Sequence, residues 1–354
     1  MTAAVTIRPG DRVVVTGAAG FIGSAVVRAL LARGAEVVAA TEPGADERNL
    51  AGLDVESALV DVRHPEAVRA VCKGARFVFH LAAVYRFWAR NPRLFHDVNV
   101  GGTLHVLDAA RDAGCERLVY TSTVGVLGLH DTGEGRPADE RAYADVAHLF
   151  GHYKQTKYVA EHEVLRAAAA GLDVSLVLPT FPVGAGDTRP TPTGKLVLDF
   201  LNGRMPAYVD TVLNVVHVDD LADGHLLALE RGARGRSYVI GGENLTMQEV
   251  LAELAQITGL PAPRRRVPRA AALAAGYVSE LVEGGLLGRE PSVPLEAARM
   301  SSTKMRFSDA RARGELGYSS RSANAALTDS ARWFLDSGYV RPDRRARIEI
   351  APTT

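Results

Sequence analysis

Short, uninterrupted apolar runs alternate along the first half of the chain with stretches whose apolar positions recur at helical spacing. The run Arg12-Val-Val-Val-Thr-Gly17 is apolar on successive positions. Such a run predicts a strand covered on both faces, which is the signature of a parallel sheet. It leads through Gly17-Ala-Ala-Gly20-Phe-Ile-Gly23 into a helix over 24–33 that Gly34 ends. A second strand is expected over 36–41, with Glu42 at its carboxyl end. Further strands are expected over 55–60, 76–80, 117–120 and 173–178. Asn99-Val-Gly-Gly-Thr103 is expected to open a helix over 104–113. No repeat, heptad run or low-complexity segment breaks the alternation. The pattern predicts an α/β fold, a doubly wound parallel sheet with helices on both faces and ligands at the strand carboxyl ends.

The first strand, turn and helix carry candidate chemistry. Gly17, Gly20 and Gly23 allow the backbone to turn tightly and approach a pyrophosphate, whose charge sits at the helix amino terminus, with Phe21 and Ile22 of the turn also expected at the cofactor. By itself the glycine spacing is a weak signal in a chain with 34 glycines. The strand, turn, helix, strand and acid in sequence are what make this a Rossmann dinucleotide site. Glu42 can accept hydrogen bonds from adenosine ribose hydroxyls and would repel a 2′-phosphate. NAD is therefore expected, with NADP possible because Arg48 lies nearby.

In Gly151-His-Tyr-Lys-Gln-Thr-Lys157, Tyr153 and Lys157 stand four residues apart and share one face of a helix. A phenol ordinarily ionises near pH 10, and a fixed ammonium beside it lowers that value. The pair can then donate and accept a proton at a carbonyl or alcohol. A solvated Tyr and Lys have the same spacing, so the motif draws its weight from the glycine turn upstream.

Composition narrows the class. The 354 residues include 41 Lys plus Arg and 41 Asp plus Glu, so the net charge is zero, and neither nucleic acid nor an anionic membrane is indicated as a partner. Cys72 and Cys115 lack metal-ligand spacing and are expected as reduced thiols. No signal pattern or membrane-length apolar run occurs, so the protein is expected in the cytoplasm, with no integral membrane segment. The expected division is a dinucleotide-binding domain over 8–184, a substrate lobe over 185–340 and a charged, frayed tail over 341–354. Residues 214–240, beginning with Val215-Val-His-Val218, are expected to return to the main sheet. His217, Asp219 and Asp220 more simply pin that return than hold a metal, and no metal site is assigned. The Gly/Pro-rich stretch Gly184–Gly194 is a candidate lid. An amphipathic helix is expected over 249–258. The Ala/Leu-rich stretch over 270–287 could cover an apolar substrate or form a dimer face.

These segments, in this order, resemble the extended short-chain dehydrogenases/reductases. The resemblance rests on Val15–Gly23, Asp61-Val62, His80-Leu-Ala-Ala83, Asn99–Thr103, Tyr120-Thr-Ser-Thr123, Tyr153 with Lys157, and Val216-His-Val-Asp-Asp220. Within that family, Ala83–Trp88, Lys195–Gly203, Met205–Asp210 and Gly241–Thr246 are similar to hopanoid-associated sugar epimerases and dihydroflavonol reductase-like proteins. The likeness runs from about residue 12 to about 336. It implies Tyr153 as general acid/base and Lys157 on the nicotinamide ribose. Thr123 takes the place of the usual catalytic Ser, with Ser122 as a stand-in. It also implies that Asp61 and Val62 flank the adenine, that Leu81, Ala82 and Ala83 line the cofactor, that Asn99 orders the local backbone, and that Pro179 and Thr180 approach the nicotinamide. A homodimer is the family habit.

The chain departs from the nucleotide-sugar members. Phe181 stands where many of them carry an Asn that contacts the diphosphate, and no Arg-x-Gly-Asp segment follows. Close relatives usually carry Arg in place of Glu42, so their NADP preference is not transferred. Tyr85, Phe87, Trp88, Phe181, Met205 and Tyr208 are expected to line an apolar pocket. The resemblance therefore implies an oxidoreductase interconverting a secondary alcohol and a ketone on a hydrophobic, terpenoid-like small molecule. The alternatives are an epimerase or dehydratase that retains NAD while acting on a sugar, and a dinucleotide-sensing protein without chemistry.

Overall fold

The computed structural model describes residues 5–128, 136–145, 149–300 and 304–350. The chain begins with β1 (Arg12–Thr16), α1 (Phe21–Leu31), β2 (Glu36–Thr41), β3 (Glu56–Leu59), α2 (Pro65–Cys72) and β4 (Phe77–His80). Helix α3 (Arg93–His96) runs through a π turn at Asp97–Gly102 into α4 (Thr103–Asp112). Then come β5 (Arg117–Thr121), α5 (His152–Ala169), β6 (Val174–Pro179) and β7 (Phe181–Val183). The second half holds α6 (Pro192–Leu201), β8 (Ala207–Tyr208), β9 (Val212–His217), α7 (Val218–Arg231), β10 (Ser237–Ile240), β11 (Glu243–Thr246) and α8 (Met247–Thr258). It finishes with β12 (Arg265–Arg266), α9 (Arg269–Ser279), α10 (Leu295–Met300), α11 (Ala323–Asp336) and α12 (Pro342–Arg345).

Seven strands form one parallel sheet in the order β10-β6-β5-β4-β1-β2-β3. Successive residues of each strand face opposite layers, which explains the unbroken apolar runs. Val13, Val15, Phe77 and Phe79 pack into a core with α1 and α7. Val14 and Val78 face the other way, into a core with α2, α4 and α5. Each such side chain, fully buried, stabilises the fold by about 1.5–3 kcal/mol. Winding reverses between β1 and β4, and the crevice at their carboxyl ends is where such a sheet takes its ligand.

The structure corrects three expectations. First, helix does not begin at residue 104. It is already formed from Arg93 and passes through the paired glycines as a π turn. Gly102 is needed there because a Cβ would lie 2.6 Å from Val62 Cγ2. Second, the strand containing Val215–His217 does not rejoin the main sheet. β9 pairs with β7 in parallel and β11 in antiparallel, making a separate three-stranded sheet. The open edge beyond β6 is taken by β10, the strand of the 214–240 stretch that does enter the main sheet. Third, the segment after residue 340 is docked through residue 350. Arg341 N–H donates to Asn202 Oδ1 at 3.0 Å, Arg344 Nε donates to the Leu201 carbonyl at 3.1 Å, and Ile348 and Ile350 pack on the core formed by α6, α8 and α11. No helix among the described residues is long and apolar enough to cross a membrane.

Candidate active site

At the end of β1 the chain enters the glycine turn. Gly17 has φ +70°, and a Cβ there would lie 2.9 Å from the Ala82 backbone, while one on Gly23 would lie 2.1 Å from the Gly17 carbonyl oxygen. The turn is thus closed to side chains, which leaves bare backbone at the amino terminus of α1. No side chain caps that terminus, so its first N–H groups and the positive end of its dipole are left without a side-chain partner. These features fit a dinucleotide pyrophosphate.

A buried polar chain sets the walls of the crevice. Thr16 Oγ1 bonds His80 Nδ1 at 2.8 Å and accepts from the Leu81 and Ala82 N–H groups at 3.2 Å. Having two N–H donors, Thr16 gives its own proton to His80. His80 Nε2–H then donates to Thr103 Oγ1 at 3.0 Å, which donates to the Asn99 carbonyl at 2.6 Å. Burial holds His80 neutral, with its pKa down at about 3. Asn99 Oδ1 accepts from Val84 N–H at 2.8 Å, and its Nδ2 donates to Thr156 Oγ1 at 3.0 Å. The segment Leu81–Val84 is thereby fastened to β1, to the π turn and to α5.

On the adenosine side, Glu42 is exposed, with Arg189 Nη1 3.6 Å from its carboxylate. Arg48, expected to complicate the reading of Glu42, is instead forked onto Asp46 and reaches the Tyr339 hydroxyl. Asp61 accepts from Arg63 Nε at 3.0 Å, a bond that holds its carboxyl below the usual range. Val62 is buried against Gly102. On the other side, Pro179 ends β6, and the Thr180 hydroxyl beside it is buried without a hydrogen-bond partner. A buried orphan hydroxyl is costly, and a ligand amide would satisfy it.

Helix α5 presents Tyr153 and Lys157. The Thr123 side chain acts on the Tyr153 phenol, favouring its ionised form, and the Tyr85 ring lies 4.9 Å from that of Tyr153. The expected lowering of the phenol by Lys157 is not found. Burial raises the Tyr153 pKa, with Thr123 acting in the opposite direction. Lys157 Nζ donates to the Thr121 carbonyl at 2.6 Å and lies 4.2 Å from the Tyr120 ring centre. Burial pulls its pKa down to about 7. Ser122, the expected stand-in for Thr123, is committed elsewhere: its hydroxyl donates to buried Glu161, which also accepts from Tyr143 at 2.6 Å. Burial raises the Glu161 pKa. Glu161 could have been noticed from sequence, since it continues the Tyr153, Lys157 spacing by four more residues.

The expected pocket residues divide. Tyr85 meets Tyr153, and the Trp88 indole nitrogen lies 3.2 Å from the Cβ position of Gly284. Phe87 is half-buried on the same loop. Tyr208 is a buried core residue of the smaller lobe whose hydroxyl accepts from Arg266 Nε at 3.1 Å, and Phe181 and Met205 pack against that same core. Their aromatic and apolar character serves packing there. The candidate lid is pinned rather than loose: Asp187 accepts from Thr191 N–H and Oγ1, Asn49 donates to the Gly186 carbonyl, and Tyr339 donates to the Thr188 carbonyl. His217 bonds Asp329 at 3.0 Å and Asp220 pairs with Arg321 at 2.9 Å, tying the start of α7 to the segment at α11. Glu296, from α10, is a further buried acid near Tyr153 that no local sequence signal announces.

The NAD dependent epimerase/dehydratase family model matches residues 13–241. A Synechocystis protein named as a dihydroflavonol 4-reductase is 41% identical over 95% of this chain and 98% of its own. Sterol demethylase protein B of Methylococcus capsulatus is 35% identical over 92% of this chain and 99% of its own. The crystal structure of gox2253 superposes with a TM-score of 0.83 at 42% identity, covering 94% of this chain and all of that one. With the family's strand order, glycine turn and Tyr/Lys helix all in place, this chain belongs to the NAD-dependent epimerase/dehydratase family of extended short-chain dehydrogenases/reductases.

Proposed function

We propose that this protein interconverts a ketone and a secondary alcohol on a hydrophobic, terpenoid-like small molecule, with Tyr153 as proton donor and acceptor and NAD as coenzyme. The observation that carries the reading is Tyr153 and Lys157 one turn apart on α5, with the Tyr85 ring 4.9 Å from that of Tyr153. When bound, the coenzyme supplies the hydride for reduction or takes it in oxidation. Gly17, Gly20 and Gly23 hold its pyrophosphate, Glu42 the adenosine ribose, Asp61 and Val62 the adenine, and Ala82, Ala83, Pro179 and Thr180 the nicotinamide half.

In reduction the phenol, its pKa raised, keeps its proton at neutral pH and gives it to the carbonyl oxygen, to which Thr123 also donates a hydrogen bond. In oxidation Tyr153 must take the alcohol proton, and Lys157, one turn along α5, holds the nicotinamide ribose. The Glu42 carboxylate favours a free 2′-hydroxyl, hence NAD. The substrate class is supported by the names of the relatives, a dihydroflavonol and a sterol both being fused-ring molecules. The reading includes a homodimer, checked by sedimentation velocity.

The test is to denature freshly purified protein and quantify released nicotinamide nucleotide, then to follow NADH oxidation with apolar ring ketones. An empty protein that consumes NADH with such a ketone supports the reading. Stoichiometric retained NAD with no net NADH consumption would overturn it in favour of an epimerase or dehydratase.

A further inference from the structure

Glu296 is the buried group for which the reading above has no use. It comes from α10, far along the chain, and is only 8% exposed. Both carboxyl oxygens are closed from solvent, and neither has a hydrogen-bond partner. The carboxyl lies against Gly151, the N-cap of α5, so closely that a Cβ on that residue would fall 1.8 Å from Oε2. Gly151 stands two residues before Tyr153, and the charge of Glu296 acts on the Tyr153 and Tyr85 phenols and on Lys154.

A carboxyl in such a place has two ways to avoid the cost of an unpaired buried charge: it takes up a proton or it finds a partner. Burial does raise the Glu296 pKa, to about 7, with Lys154 opposing and Glu280 reinforcing the rise. Proton uptake removes the charge but leaves two polar atoms unsatisfied, a state rare in folded proteins away from binding and catalytic sites. The buried acid of α5, Glu161, has its partners in Ser122 and Tyr143. Glu296 differs in having none, and its charge reaches the phenols of Tyr85 and Tyr153.

We infer that Glu296 is a substrate-recognition residue, whose carboxyl hydrogen-bonds a hydroxyl carried by the substrate next to its reacting carbonyl or alcohol. The inference rests on the ketone/alcohol reading of the Tyr153 site and narrows its substrate class to apolar molecules bearing a vicinal hydroxyl. Glycine at 151 is then part of the same device, because any side chain there would displace the carboxyl.

The test uses the full chain and a matched pair of probes, 2-hydroxyacetophenone and acetophenone. Binding of each in the presence of the preferred oxidised nucleotide is measured by calorimetry, and NADH-dependent turnover of each is measured separately. Wild type is expected to bind the hydroxylated ketone roughly tenfold more tightly, the usual scale for one buried hydrogen bond. Glu296→Met should bring that ratio to about one, and Glu296→Gln, which keeps a donor and an acceptor, should retain most of it. An unchanged ratio in Glu296→Met, or no discrimination by wild type, would overturn the inference. If Glu296→Met fails to fold, Glu296→Asp, which withdraws the carboxyl by one methylene, is read in its place by the same criterion. Binding that discriminates without turnover of either ketone would leave Glu296 as assigned and sink the reductase reading instead.

Discussion

Gly17→Ala isolates how much the glycine turn depends on backbone approach rather than on backbone conformation alone. Gly17 and Gly44 share nearly the same left-handed geometry, φ +70° and +79°. At Gly44 a Cβ meets nothing within 4 Å; at Gly17 it meets Ala82 N and Cα at 2.9 Å and Leu81 C at 3.1 Å. Both substitutions incur the left-handed penalty of about 1–2 kcal/mol. Both recover about 0.4–1 kcal/mol by stiffening the unfolded chain. Gly44→Ala should therefore cost about 1 kcal/mol. Gly17→Ala adds overpacking against backbone, about 1–3 kcal/mol. That backbone cannot yield cheaply, because Thr16 lies opposite His80 in the sheet and its hydroxyl holds both N–H groups of Leu81 and Ala82. The expected total for Gly17→Ala is about 2–4 kcal/mol. Urea unfolding of wild type and both variants, with slopes compared to confirm a common unfolded state, reads the difference directly. Equal midpoints for the two variants would refute the reasoning, since they would mean that β1 and β4 part at no cost.

Other expectations concern chemistry and pH. Tyr153→Phe should keep its nucleotide affinity while turnover falls by about 10²–10⁴-fold, and Thr123→Val should lose more activity than Thr123→Ser; a wild-type rate from Tyr153→Phe would remove Tyr153 from the mechanism. Glu42→Ala should improve NADP affinity on the order of tenfold, because Arg189, 3.6 Å from Glu42, becomes available to a 2′-phosphate; an unchanged NADP/NAD ratio in nucleotide titrations would count against Glu42 as the selector. Buried His80 titrates at about 3 in the fold and near 6.5 when unfolded. The unfolded chain therefore binds the extra proton between those values, and stability present above pH 6.5 is lost as pH falls toward 3. His80→Gln should flatten that fall in urea midpoints measured from pH 7 to 4, and identical slopes would show that His80 is not its source.

Much of the fold could be read from the apolar runs because both faces of a parallel strand are covered, so β1, β4, β5 and β6 stand out as unbroken segments. That same pattern misled at Val215-Val-His-Val218. Its burial is equal to that of a main-sheet strand, and what decides its sheet is the pairing with β7 and β11, which local pattern does not carry. Asn99-Val-Gly-Gly looked like a helix start because glycines disfavour helix interiors, whereas packing of Gly102 on Val62 overrides that preference. At the site, the Tyr153 and Lys157 pair was legible from spacing, but the carbonyl that holds Lys157 was not. Tyr208 and Phe181 are aromatic for the sake of a core that forms from elements well separated in sequence. Glu296 was invisible because its meaning depends on the chain returning to Gly151 from the far end of the fold.

The entry of β10 into the main sheet bears on how the chain is made. β6 is flanked on one side by β5 and on the other by β10. Until Ser237–Ile240 has been synthesised, β6 is an edge, with a row of unpaired N–H and C=O groups along an apolar strand. A fragment ending near residue 184 contains the glycine turn, Tyr153 and Lys157, yet it carries that raw edge. It should aggregate on expression where a fragment reaching past β10 does not. During synthesis the nucleotide-binding half must wait for a strand that belongs to it but is encoded after the first part of the smaller lobe, so the two halves mature together.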